Sequence, residues 1–244
     1  MNRSKLTKSL KLFGASGIIT AALTIAAVPV MAAATSQLTT AQQQDLQNII
    51  NKGNQEITRR LDTLETLSSK ISAATKITAS DKSYLTTEVS TEATGLTSLK
   101  AQLDADTTLS AARTDAQSIF TEYRVYALVV PKVWLIKTAD DQQLTESQLT
   151  NLAQKIQTKI TADQTAGKAV TSLQTELNDM TTQIANALKI SSTIETNVLP
   201  LQPSDYDNDH TILSGDAAQL NTAHGDNVAA YTDAKNIIAS LKTL

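Results

Sequence analysis

Residues 119–136 read Ile-Phe-Thr-Glu-Tyr-Arg-Val-Tyr-Ala-Leu-Val-Val-Pro-Lys-Val-Trp-Leu-Ile and carry four of the chain's eight aromatic residues, Phe120, Tyr123, Tyr126 and Trp134. Ile119, Tyr123, Tyr126, Val130 and Val133 repeat at steps of four and three, while Phe120, Leu128, Val129, Trp134 and Leu135 fill the other faces. That rhythm predicts a helix apolar on all sides, which belongs either in a core or in lipid. The apolar part is too short to span a bilayer and contains Arg124 and Lys132, so burial is the expectation. Pro131 lacks a backbone donor and is expected to kink or interrupt the helix at the turn before it. The valines also suit a strand, but the flanking rhythm is helical on both sides. The segment therefore reads as the hub of a helical bundle.

Upstream, Ile50, Ile57, Leu64 and Ile71 are spaced by seven, with Leu46, Leu67 and Ala74 on a second seam. This predicts one long amphipathic helix over 39–74, about 54 Å at 1.5 Å per residue, with Gly53 and Arg60 as weak points in the seam. Thr78 or Ser80 is placed to cap a second helix bearing Leu85, Val89, Leu96, Leu99 and Leu103, with Gly95 inside it at a cost of about 1 kcal/mol relative to Ala. Residues 104–108 read as a turn and cap, and the third helix enters the hub near Leu109.

Downstream, a single stripe of Leu144, Leu149, Leu152, Ile156 and Ile160 stops at Gly167; it fits either a continuation of the hub helix or a separate one. Val170, Leu173, Leu177, Met180, Ile184 and Leu188 mark the next helix, which Ile194 and Val198 extend to the Pro200–Pro203 break. Ser204 is expected to cap a last long helix carrying Tyr206, His210, Leu213, Ala217, Leu220, His224, Tyr231, Ile238 and Leu241 on one face. The connectors are short, which joins antiparallel neighbours. The predicted fold class is all-α: an elongated antiparallel up-and-down bundle of five or six long helices with coiled-coil-like packing.

The N-terminus orders Arg3, Lys5, Lys8 and Lys11 before an apolar run from Leu12 to Val28, then Pro29 and Ala32-Ala33-Ala34. That is the order of a secretory signal, with cleavage expected after Ala32 or Ala34; a retained membrane anchor is the alternative. No cysteine follows the run, which excludes a lipid-anchored precursor. The domain reading is signal peptide 1–34 and a single helical-bundle domain 35–244, exported to the outside or the cell surface. Cleavage removes four cations, so 21 Lys and Arg become 17 against an unchanged 24 Asp and Glu. Such an acidic chain is not expected to bind nucleic acid. With no cysteine at all, its stability rests on packing without disulfides. Thr, 36 residues in all, is an unusual choice for helices because its branched carbon stiffens there, so tertiary packing must supply most of the helical stability.

No catalytic, cofactor-binding or metal-ligating pattern stands out. There is no cysteine nucleophile, no phosphate-binding glycine loop and no Gly-x-Ser-x-Gly or His-Glu-x-x-His. Asp140-Asp141 sit in polar sequence that is not expected to raise a carboxylate pKa. Asp205, Asp207, Asp209 and Asp216 approximate the acid spacing of a calcium loop, but His210 stands where that loop needs Gly and Asp216 where it needs Glu; acids at a helix start explain them more simply. His210 and His224, fourteen residues apart, would lie about 21 Å apart on one straight helix, too far to share a metal. They read as core or boundary residues. Arg124 reads as paired, with Glu122 or Asp115 as the nearest partners in sequence, and Arg59-Arg60 as a solvated helix face.

The segment Tyr123-Arg124-Val125-Tyr126-Ala127-Leu128 followed by Pro131-Lys132, with Pro203-to-Tyr206 and Asp233-to-Ile238 further on, resembles a group of uncharacterised exported helical proteins of small-genome bacteria. The resemblance implies export and helices and no particular chemistry.

The functional expectation is a secreted or cell-surface, non-enzymatic bundle acting as a structural or protein-interaction module, through self-association or a protein partner. The candidate hub residues are Tyr123, Arg124, Tyr126, Pro131 and Trp134. Two alternatives stand beside it: a membrane-active, pore-forming-like protein using 125–136, and a small-molecule carrier with a pocket beside Tyr123, Tyr126 and Trp134.

Overall fold

The computed structural model describes residues 38–244, which form one compact unit; the signal-peptide reading of 1–34 lies outside the described residues. The described chain is all-α. Helix α1 spans Thr40–Ala73, α2 Ala79–Ala105 and α3 Leu109–Thr121. A π-helical turn, Val125–Val129, leads into α4, Val130–Thr165, followed by α5 Thr171–Val198, the short α6 Pro203–Asn208 and α7 Asp216–Leu241.

Local chemistry sets the boundaries. Thr39, Thr78 and Thr108 cap α1, α2 and α3, each hydroxyl accepting a backbone N–H three residues on. At α1 the Gln42 side chain accepts the Thr39 N–H in return at 2.9 Å, completing a capping box. Gly167 and Gly215 take φ of 82° and 89°, the left-handed geometry that ends α4 and precedes α7. Inside the helices, Thr hydroxyls donate back to the carbonyl four residues earlier, as in Thr58 to Asn54 at 2.9 Å and Thr97 to Ala93 at 2.8 Å. This satisfies a polar group the helix would otherwise turn to solvent.

Two three-helix layers share α4. In the first, α1 and α2 run antiparallel, as Asn54 bonding Asp104 near one end and Lys82 bonding the Ser72 carbonyl near the other require. The third member is composite: α3, the π-turn and the start of α4 follow one another along α1. Ile119 lies by Gly53, Tyr126 by Arg59 and Thr63, and Trp134 by Lys70. Its core holds Ile57, Leu64 and Ile71 from α1, Leu85, Val89, Leu96 and Leu103 from α2, then Ile119, Val125, Val129, Val133 and Ile136. The second layer packs the rest of α4 against α5 and α7 around Leu149, Ile156, Ile160, Leu173, Leu177, Met180, Ala230, Ala234 and Ile237. The Gln157–Gln174 and Glu146–Ser191 bonds show α4 and α5 antiparallel.

The interruption expected in the turn before Pro131 is the π-turn Val125–Val129, and the proline occupies the first turn of α4, where its missing N–H costs little. Of the two readings of the stripe after Lys137, the continuous one holds: it is the same helix as the second half of the hub. Other expectations are corrected. The hub is not buried all round, since Phe120, Tyr126 and Trp134 are 47%, 48% and 43% exposed. Finally, no single helix runs from Ser204. Asp209 accepts both the N–H and the hydroxyl of Thr211, the chain turns at Gly215, and α7 buries an alanine face led by Leu220, Ala223 and Ala230. His210 and His224 are consequently exposed; His210 only meets the Tyr206 ring edge-on at 5.1 Å.

Candidate interaction surface

The π-turn decides where the hub's aromatic rings point. Five-residue turns advance side chains by a different angle from α-helical ones, so Val125, Leu128 and Val129 enter the core while Tyr126 faces outward beside Phe120. The Tyr126 hydroxyl anchors this register, lying 3.2 Å from both the Arg59 carbonyl and the Thr63 hydroxyl of α1.

Arg60 does not lie on a solvated face. It is 5% exposed, paired to Glu56 at 2.8 Å, and its guanidinium sits 4.6 Å from the Phe120 ring centre and 5.1 Å from that of Tyr126. The rings thus shield a cation on one side and meet solvent on the other, an arrangement favoured by the negative potential of the ring face. About three turns further along α1, Lys70 stands 5.0 Å from the Trp134 ring, and Lys137 of α4 stands 5.9 Å from it. A shallow depression lined by Asp62, Thr63, Thr66, Lys70 and Val130 lies beside the Trp134 ring.

The five predicted hub residues do not converge on one site. Tyr126 and Trp134 share the outward face. Tyr123 is half-buried on the other side of the composite helix, its ring filling the notch at Gly95. Arg124 pairs with Asp207 of α6, 83 residues away, through Nε at 2.6 Å, and stacks over Tyr206. That corrects the sequence-local partners Glu122 and Asp115. Pro131 is a helix-start residue. Three of the acids of 205–216 have partners in the chain: Asp205 accepts the Gln202 N–H at the start of α6, Asp207 holds Arg124 and Asp209 closes a turn. Sequence reasoning missed Arg60 and Lys70 as partners of the rings; their only signal was Arg60 at a core heptad position.

A second polar region escaped it too, where α2, α4 and α5 meet. Lys132 is fully buried and donates to Glu88 at 2.6 Å and to the Leu201 carbonyl. Burial, then the charge of Glu88, pushes the neighbouring Glu92 carboxyl up to about 7 despite the opposing Lys132. Asp140 is 2% exposed and is pushed to about 7 by burial and by the acids Asp81 and Glu195. This corrects the expectation that the polar sequence around Asp140 does not raise its carboxyl. Its legible sign was position: Asp140 follows Val133 and Ile136 at steps of three and four on the core stripe.

Comparison with known proteins returns no match, whether against family models, curated proteins or solved structures.

Proposed function

We propose that this chain is an exported, non-enzymatic protein-interaction module that engages a protein partner through the face formed by Phe120, Tyr126 and Trp134 with Lys70 and Lys137. The observation that carries the reading is that three exposed rings, Phe120, Tyr126 and Trp134, follow one another along α1 beside Arg60 and Lys70, whereas the other exposed aromatics, Tyr84 and Tyr231, stand singly on α2 and α7. Aromatic and cationic side chains set together at a rigid helix surface are the composition of binding hot spots. Export rests on the charged, apolar and small-residue order of residues 3–34.

The membrane-active alternative draws less support. Residues 125–136 bury Val125, Leu128, Val129, Lys132, Val133 and Ile136, and no described helix is long and apolar enough to cross a membrane. For the carrier alternative, two depressions border Trp134, of about 10 and 270 Å³, and neither is lined by Tyr123 or Tyr126.

The test places a photo-crosslinking amino acid at position 134 of the full chain in its native cell, with a second copy of the experiment at the exposed Thr158 of α4. A protein adduct from 134 that is absent from 158, and whose capture the Tyr126→Ala exchange weakens, supports the reading. No adduct from 134, or the same products from both positions, refutes it. Trp134 also reports directly: its exposure predicts a quencher-accessible emission, which partner binding shifts to the blue and protects.

A further inference from the structure

Asp81 lies in the first turn of α2, Asp140 in α4 and Glu195 near the end of α5. Each offers a carboxylate oxygen, and the three oxygens all lie within 4.8 Å of one another. Asp81 and Asp140 are 3% and 2% exposed, and Glu195 is half-buried. Part of this acidity has a structural use. Thr78 donates its N–H to Asp140 Oδ2 and its hydroxyl to Asp81 Oδ2, both at 2.9 Å, and Gln143 donates an amide N–H to Glu195 Oε2. The nearby lysines are committed elsewhere, Lys76 to Asp141, Lys82 to the Ser72 and Ala74 carbonyls and Lys132 to Glu88. Among the described residues, none of the three acids forms a salt bridge.

The second observation is at Asp140. Its Oδ1 is shut off from solvent and receives no hydrogen bond from an N–H or hydroxyl of the chain, while its carboxyl stands within hydrogen-bond reach of the Asp81 carboxyl, a contact between two acids that a shared proton or a bound cation must bridge. A buried carboxylate oxygen without a partner costs free energy, and here it belongs to a side chain crowded by two further acids. A cation among the three relieves both the missing partner and the repulsion. The donors are all oxygen, with no imidazole or thiolate in the group, which selects a hard ion. Calcium binds oxygens at about 2.3–2.6 Å, so two ligands of one ion stand at most about 5 Å apart. The observed spread lies within that reach.

We propose that Asp81, Asp140 and Glu195 form a binding site for a hard divalent cation, calcium in the first instance. The ion ties the start of α2 to α4 and α5 where the first core passes into the second. The remaining coordination positions go to water or backbone carbonyls. The site is separate from the aromatic face and does not depend on the function proposed for it.

The test is calorimetric titration of calcium chloride, with magnesium chloride as comparison, into the full chain stripped with a chelator, alongside thermal melts. One equivalent of calcium bound is expected, with a rise in Tm on the order of 5–10 °C at a hundred-fold excess over Kd. Asp140→Asn and Glu195→Gln keep the acceptors used by Thr78 and Gln143 and should each abolish the heat and the Tm rise. Asp141→Asn, at the neighbouring acid paired with Lys76, should leave both intact. Absence of binding to the wild type at millimolar calcium overturns the proposal, as does binding that Asp140→Asn and Glu195→Gln retain. An acid group held together by shared protons alone shows itself as a wild type indifferent to calcium with Asp140→Asn more stable, which also overturns it. If neither variant folds, the wild-type stoichiometry decides: one equivalent supports the site and none refutes it.

Discussion

At Gly95 a Cβ would lie 2.5 Å from Tyr123 Cε1 and 2.8 Å from its hydroxyl oxygen. Alanine normally improves a helix over glycine by about 1 kcal/mol, but the rigid ring cannot yield without leaving its place against α2, and such overlap costs about 1–3 kcal/mol. Gly95→Ala should therefore destabilise by about 1 kcal/mol in urea melts, and Gly95→Ala combined with Tyr123→Leu should recover most of the loss. Gly225, in α7 with nothing within 4 Å of its virtual Cβ, is the contrast: Gly225→Ala should stabilise by about 0.5–1 kcal/mol. Equal signs at the two positions would contradict the packing described. Glu92 supplies the pH dependence. Facing Glu88, Tyr123 and Lys132, its carboxyl titrates at about 7 in the fold against 4.5 as a free side chain. The folded state thus holds a proton there that the unfolded state releases, so the stability linked to Glu92 is complete below pH 4.5 and is lost as the pH rises to about 7. Glu92→Gln should flatten the fall in Tm across that window and raise Tm above it; an unchanged slope would refute the shift.

Helix α4 shows how a residue's meaning depends on its element. Proline inside a continuous helix costs about 3 kcal/mol, so replacing it would stabilise the chain by a similar amount if the hub ran unbroken. With Pro131 in the first turn of α4, Pro131→Ala should instead change the unfolding free energy by less than about 1 kcal/mol. The next residue carries more weight. Lys132 and Glu88 bridge α4 and α2 from fully buried and mostly buried positions. Lys132→Met leaves the Glu88 carboxylate buried without its cation and should cost about 3–5 kcal/mol, whereas Lys132→Met with Glu88→Leu should restore much of it. A double-mutant cycle measures the difference, and additive losses would show that the pair is not coupled.

Across the whole described chain, α4 threads both cores, and at about 54 Å it is long enough to do so as one rigid element. Leu64→Ala in the first core and Ile160→Ala in the second empty fully enclosed space and should each cost about 2–5 kcal/mol. For a chain of this size each kcal/mol lowers Tm by about 2–4 °C. Both variants should shift one common calorimetric transition. Two separable transitions, each moved by only one of the variants, would mean that the cores unfold independently.

The heptads of α1 and α2, the Thr caps and the stop at Gly167 were all legible in the sequence, because each depends on residues within one or two turns of itself. Ile57, Leu64, Ile71, Leu85, Leu96 and Leu103 are buried where their spacing put them. The orientation of the hub was not legible, since a π-turn of ordinary valines and leucines differs from an α-turn only in which carbonyl each N–H finds. The last helix misled for a similar reason: alanines form its buried face, and their small side chains leave almost no hydrophobic periodicity to read. Arg60 between two rings, Arg124 with Asp207, and the meeting of Asp81, Asp140 and Glu195 join residues from different helices. By itself the sequence determined helix content, stripe and order, which follow from local backbone chemistry and apolar spacing. Only the tertiary structure decided which side of the hub meets water and which charges are buried together, because both are set by the packing of helices distant in the chain.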